Sequence, residues 1–266
     1  MQSIAGHFQA LGFEIMAAPE LSALLRDVRG KFESRMLNRF SDDALRNRNL
    51  IKLVAEDLDV KRFFCAPELV TALRDRIGIA DPVQTGPIVT HYTANNTTGN
   101  NYGLPYHQDW PSMGTSSNGV ITWTSITDIG KDGPGLRVIP GSHLNGLWPG
   151  EQTQSGYVLE QQEIDGFLDV EVEAGQILFM SPYLVHKTRT ASISNWKLSL
   201  SCRFDDLECH DWDRRDFVSA YRTDGEQANL PQRLRLIDRA ANPSRYGIAG
   251  KRIGVALTFI THRPSS

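Results

Sequence analysis

The stretch GLPYHQDWPS, residues 103–112, places His107 and Asp109 two positions apart among turn-formers and aromatics. In an extended chain, residues i and i+2 point to the same side. An imidazole nitrogen and a carboxylate oxygen can then face one point in space. These are two of the three donors of a 2-His-1-carboxylate facial triad, which binds non-haem ferrous iron and keeps coordination positions open. A second histidine is required. The chain offers His7, His91, His143, His186, His210 and His262. His186 is the best placed of these. It follows VEAGQILFMSPYLV, where an acidic turn containing Gly175 leads into an apolar strand ending at Pro182. A histidine just past such a strand is held by a rigid element at the rim of a core. His143, in VIPGSH, lies in a turn and is harder to fix as a ligand.

The elements that must position these residues fall into two parts. The first eighty or so residues read mostly as helix: APELSALLRDVRGKFESRM and APELVTALRDRIGI carry apolar residues at three- and four-residue spacing. From Pro87 the rhythm shortens. GPIVTHYTANN, GVITWTSITDI, LRVIPGSH, LDVEVEAGQILFMSP and NWKLSLSCRF are rich in β-branched and aromatic residues and are separated by turn-formers. Such a string predicts a sandwich or barrel. The long polar loop TANNTTGNNYGLPYHQ delivers the chain to His107 and is a candidate wall over a site. Beyond residue 207 comes a charged stretch, with one further candidate strand in KRIGVALTFITH. No repeat or linker divides the chain, so a single domain spanning 1–266 is expected. It has a helical part over about 1–85, a β core over about 86–206 and an extension over 207–266.

Composition narrows the function classes. A chain of 266 residues with 40% hydrophobic and 22% charged residues can bury an ordinary core. The net charge of −3 comes without a clustered basic patch, so no nucleic-acid partner is expected. No apolar run is long enough to span a membrane, and the first residues lack the pattern of a secretory signal. Cys65, Cys202 and Cys209 are odd in number and lack zinc-type spacing, which suggests neither a disulfide framework nor structural zinc. The expected setting is cytoplasmic and reducing.

HQDW, then TWTSITDIGKDGPGLRVIPGSH, then GQILFMSPYLVHKT, then NWKLSLSCRF resemble the phytanoyl-CoA dioxygenase family of Fe(II)- and 2-oxoglutarate-dependent oxygenases. The resemblance covers roughly residues 87–206. An HxD tripeptide alone is weak. The ordered set, with 79 residues from His107 to His186, is far more specific. It implies a mainly β fold with flanking helices, a double-stranded β-helix (jelly roll, cupin-like), with His107, Asp109 and His186 as iron ligands.

Alternation in NWKLSLSCRF puts Lys197, Ser199, Ser201 and Arg203 on one face, with Trp196, Leu198, Leu200, Cys202 and Phe204 on the other. In the family a basic residue about 11 positions past the distal histidine pairs with the far carboxylate of 2-oxoglutarate, which falls here on Lys197 where arginine is usual. Lysine holds a carboxylate as a point charge and not by a bidentate fork. Arg203, on the same face, is the other candidate. By the same resemblance Gln108 and Trp123 line the co-substrate, and Thr188 supplies a hydroxyl near its far carboxylate. Each has an ordinary alternative: a solvated strand face for Lys197 and Arg203, plain core for Trp123, and a simple turn for PGSH.

The reaction implied couples oxidative decarboxylation of 2-oxoglutarate by O2, releasing succinate and CO2, to oxidation of an unactivated C–H bond in a small molecule. Hydroxylation leads, with desaturation, cyclisation and epoxidation as alternatives. Related halogenases replace the carboxylate ligand with a small residue, and this chain keeps Asp109. A polar substrate, such as a secondary metabolite, an amino-acid derivative or a sugar-like compound, fits the Asn, Ser and Thr residues around the site. The competing expectations are a non-catalytic jelly-roll binding protein and a cupin-like iron enzyme without a keto acid.

Overall fold

The computed structural model describes residues 5–40, 44–93, 103–113, 115–127, 135–153, 156–189, 197–209, 220–222 and 232–233. The predicted strand in KRIGVALTFITH, the charged residues 210–217 and most of the polar loop before Gly103 lie outside that set.

The helical part carries α1 (Ala5–Leu11), α2 (Ser22–Arg35), α3 (Ala44–Ala55), α4 (Leu58–Phe64) and α5 (Pro67–Ala72). Each forms for local reasons. In α2, Leu25, Val28 and Phe32 recur at helical spacing and are the buried residues. Asp57 caps α4 by accepting from the Asp59 backbone N–H at 2.9 Å. Pro67 opens α5, where its missing N–H costs nothing. Lys31 on α2 reaches Asp57 and Asp59 at 3.0 and 2.6 Å and pins α2 to the start of α4.

The strands form one large sheet, one small sheet and a hairpin. The large sheet runs β1 (Phe13–Ala17), β8 (Gln176–Met180), β3 (Val120–Ser125), β10 (Lys197–Asp206), β2 (Pro82–Thr93), β11 (Ala220–Arg222), β12 (Gln232–Arg233). The small sheet is β7 (Leu168–Val170), β4 (Gly135–Val138) and β9 (His186–Arg189), with β5 (Gly150–Thr153) and β6 (Gly156–Leu159) pairing alone. Every pairing is antiparallel. Two facing sheets of this kind, with helices against one outer face, make the expected jelly roll.

The period of two decides what each sheet face does. On β10, Leu198, Leu200, Cys202 and Phe204 are fully buried and pack with Ile177, Phe179 and Val120 against Phe32, Phe63, Phe64 and Leu69 of the helices. Burying such side chains stabilises the fold by roughly 1.5–3 kcal/mol each. The alternate residues face the other sheet. Trp123, Ile121, Leu178 and Met180 meet Val138, Val170 and Leu184 there. Register places Ser199 between Ser125 and His91, and Ser201 between Trp123 and Val89, so these residues share that inner face.

Three departures from the sequence expectation have physical causes. The first eighty residues contain a strand, β1, which completes the edge of the large sheet beside β8. Its five residues include Glu14, 4% exposed and paired with Arg76, and that charge hides the pattern. LDVEVEAGQILFMSP divides between the sheets, β7 in the small one and β8 in the large one, with a turn at Ala174 and Gly175. And β2 starts at Pro82 rather than near Pro87: a bulge at Gly86, φ +73°, lets the strand pass through the GP dipeptide.

Candidate metal centre

His107 and His186 are joined through their backbones. The N–H of His107 donates to the His186 carbonyl at 2.9 Å, and the N–H of His186 returns to the His107 carbonyl at 3.1 Å. This is a hydrogen-bonded antiparallel pair, whose side chains lie on one face. The imidazole centroids are 4.1 Å apart. His186 opens β9, beside Val138 of β4, and His107 also bridges Val158 of β6. Thus the first ligand is held between the hairpin and the small sheet.

Asp109 arrives differently. Only His107 is strand-like. Asp109 sits in a bend where the chain turns into α6 (Trp110–Met113). The Asp109 carbonyl accepts from the N–H groups of Ser112 and Met113, each at 3.1 Å, while the Trp110 N–H reaches the Pro182 carbonyl at 3.0 Å. The bend brings Asp109 Oδ1 to 3.5 Å from His107 Nε2. Each of the three residues offers one donor atom, and these atoms lie within 4.8 Å of one another. A metal with donors at about 2.1 Å and right angles between them separates neighbours by roughly 3 Å. The cluster therefore matches a metal's ligand shell after a small contraction.

The protonation chemistry fits as well. His107 Nδ1 lies 2.8 Å from the Pro105 carbonyl and His186 Nδ1 lies 2.9 Å from the Leu184 carbonyl. A carbonyl only accepts, so each Nδ1 carries a hydrogen, and in the neutral form of the ring Nε2 holds the lone pair that a metal takes. Burial, reinforced by His186, pushes the His107 imidazole down to about 4, which keeps it neutral at pH 7. Burial works against the Asp109 carboxylate, yet His186, His107, Arg203 and His91 together hold it below its usual range. Two imidazoles and one carboxylate are the donor set of non-haem ferrous iron.

The other sequence-predicted residues separate into groups. Lys197, at the start of β10, is 8% exposed, and no acidic side chain pairs with it among the described residues. Its Nζ lies 5.0 Å from the Trp123 ring centroid. Burial first, then Arg189, push this amine down to about 7. Thr188 shares the His186 face of β9, and its hydroxyl oxygen accepts from the Leu104 N–H at 3.1 Å, leaving its hydrogen free to donate. Gly103 makes room for it: φ is +125°, and an added Cβ would stand 2.8 Å from Thr188 Cβ. Arg203 lies further along the inner face of β10, half-buried and opposite Ile121.

Gln108 points elsewhere. Its amide nitrogen donates to the Gly146 and Tyr183 carbonyls at 2.9 and 2.6 Å, and its oxygen accepts from the Trp148 N–H at 2.8 Å. Fully buried, it ties the 146–148 loop to the segment before His186 and has no amide hydrogen left for a co-substrate. His143, expected in a turn, lies in a short 3-10 turn against Gly12, with Nε2 3.0 Å from the Gln9 carbonyl. It secures the N-terminal part.

Sequence reasoning weighed His91 only as a ligand and gave Arg189 no role. His91 stands outside the triad on the inner face of β2, opposite Ser199. Its side chain is exposed, and the facing charges of Arg203 and Lys197 push its imidazole below the ordinary range. The alternation of VTHYT was visible. Which neighbour that face would meet depends on the β2–β10 register, which is non-local. Arg189, 7% exposed, lies 3.9 Å from Asp169 and faces Lys197 electrostatically.

Comparison with known proteins agrees with this geometry. Among solved structures, a non-heme monooxygenase, ThoJ in its apo form, superposes with a TM-score of 0.59 at 16% identity, covering 96% of this chain and 99% of the other. EctD from S. alaskensis, solved with 2-oxoglutarate and 5-hydroxyectoine, gives 0.55 at 12% identity, covering 79% and 77%. At such identities these likenesses speak for the fold. Peroxisomal phytanoyl-CoA dioxygenases of Bos taurus and Homo sapiens are 27% and 25% identical to this chain over 116 residues, 40% of this chain. The matched stretch spans about a third of those relatives' length, 34% in each. No helix among the described residues is long and apolar enough to cross a membrane. The family model of phytanoyl-CoA dioxygenase (PhyH) matches residues 12–193, well over half of the sequence, and the chain belongs to that family.

Proposed function

We propose that the protein is a non-haem Fe(II)- and 2-oxoglutarate-dependent dioxygenase that hydroxylates an unactivated C–H bond of a polar small molecule, releasing succinate and CO2. The observation that carries this is the convergence of His107, Asp109 and His186, with both Nδ1 atoms tied to carbonyls so that each Nε2 is the ring's remaining donor atom. These three residues would hold ferrous iron, which when bound supplies activation of O2. Retention of Asp109 fills the position that a halide needs, and favours hydroxylation.

The protein's own groups would bind and orient the keto acid. Lys197 lies over Trp123 and feels Arg189, the residue after Thr188, and is buried without an acidic partner among the described residues. A buried ammonium without a counter-ion is costly unless an anion arrives. The far carboxylate of 2-oxoglutarate is that anion here, with the Thr188 hydroxyl donating to it and the Trp123 ring walling one side. Gln108 is assigned the support of the ligand segment. Its hydrogen bonds fix the backbone on either side of His107 and before His186.

The test is a screen of polar small molecules for substrate-stimulated succinate formation with Fe(II), 2-oxoglutarate and O2. Succinate should rise with substrate and fall to background in His186→Ala. Equal succinate in that variant would remove the assignment. A binding protein, or an iron enzyme without a keto acid, would release none.

A further inference from the structure

The inner face of β10 carries more positive charge than one keto acid uses. Lys197 and Arg203 are six residues apart on one strand, so at about 3.3 Å per residue their Cα atoms stand roughly 20 Å apart. The two side chains meet different neighbours. Lys197 lies over Trp123 and feels Arg189, at the Thr188 end. Arg203 is paired with Ile121 and acts on Asp109 and His91. They do not share one carboxylate. Arg203 makes no direct ion pair among the described residues. Beside it in register is Thr85, 2% exposed, whose hydroxyl also lacks a partner among them. His91, opposite Ser199, lies between the two cations along the sheet and keeps solvent access.

Charge decides what belongs there. With iron and keto acid bound, Asp109 and the keto-acid dianion neutralise all but one of the positive charges of iron, Lys197 and Arg203. Arg203 is half-buried, and a cation withdrawn in part from water favours an anionic partner. The remaining positive charge favours an anionic group on the substrate. The planar guanidinium fork matches a carboxylate in a way an ammonium does not. We propose that the substrate of this site carries a carboxylate, held by Arg203 with His91 beside it, while Lys197 holds the keto acid. This deepens the oxygenase proposal above and rests on it. Arg203 thereby becomes a specificity residue for anionic small molecules.

The test uses acetate as the probe, on protein loaded anaerobically with Mn(II) and saturating 2-oxoglutarate. Paramagnetic relaxation of the acetate methyl protons reports binding near the metal without turnover. In the wild type, acetate should relax at least fivefold faster than neutral, isosteric acetamide. Arg203→Gln should lose that excess while its 2-oxoglutarate affinity stays within twofold of wild type, and Arg203→Lys should recover part of it; an excess kept in Arg203→Gln would place acetate on the metal itself and overturn the proposal. Equal relaxation of acetate and acetamide by the wild-type protein would overturn the proposal without recourse to any variant. A tenfold loss of 2-oxoglutarate affinity in Arg203→Gln would overturn it too, by making Arg203 the keto-acid anchor. Failure of the wild type to load Mn(II) and 2-oxoglutarate at all would instead strike the oxygenase reading, and this inference would fall with it.

Discussion

His107 and His186 exchange both backbone hydrogen bonds across one antiparallel bridge, and each ties its Nδ1 to the carbonyl two residues before it. The two ligands are thus built alike from segments 79 residues apart. Because their placement comes from the backbone, removing an imidazole should leave the fold intact. His186→Ala should bind Fe(II) or Mn(II) at least about 100-fold more weakly, since even groups that only support a ligand cost 10–100-fold. Its melting temperature without metal should stay close to wild type. Calorimetry and circular dichroism check the two halves.

Lys197 makes the keto-acid affinity depend on pH. Its amine, ordinarily near 10.5, is pushed down to about 7 by burial and then by Arg189. A dianion binds the charged form, so affinity is full below about pH 7. It weakens as pH rises, by up to about tenfold per unit. Titrations of 2-oxoglutarate between pH 6 and 9, with Mn(II) present, should show that slope in wild type and a flat profile in Lys197→Arg. The folded protein without ligand should run the other way. Between about 7 and 10.5 the unfolded chain binds more protons at this group, so its contribution to stability increases with pH.

Gly103 and Thr188 form a close contact that only glycine permits. In Gly103→Ala the new methyl would meet Thr188 Cβ at 2.8 Å, at a backbone φ of +125° that L side chains avoid. The expected result is a severalfold rise in KM for 2-oxoglutarate with metal affinity unchanged. A change in metal affinity alone would separate Thr188 from the keto acid.

Gln108 should behave as a support. Gln108→Ala leaves the Gly146 and Tyr183 carbonyls and the Trp148 N–H without their partner. A fully buried group left unsatisfied costs about 1–3 kcal/mol, and these half-buried ones cost less each, so the melting temperature should drop by several degrees. Thermal unfolding with and without 2-oxoglutarate tests this. A variant as stable as wild type that has lost only keto-acid affinity would restore the co-substrate role implied by family resemblance.

What could be read from the sequence was whatever depends on residue type and local period. The triad rests on His107, Asp109 and His186 being of the right chemistry in the right order, and β10 declares its two faces through strict alternation. What escaped depends on the fold's non-local contacts. β1 is five residues long, and its buried Glu14 breaks the apolar pattern. Alternation turns Gln108 away from His107 and Asp109, but the groups it meets at Gly146, Trp148 and Tyr183 are set by the fold, as the place of His91 is by the register of β2 against β10.

The central claim is that two imidazoles and one carboxylate hold iron that binds the keto acid. Anaerobic addition of Fe(II) and then 2-oxoglutarate, followed by visible absorption, addresses it directly. A weak charge-transfer band that saturates at one iron and one keto acid per chain is the predicted result, with no band in His186→Ala. A wild-type protein that gives no band, or a variant that gives the same one, would contradict the account.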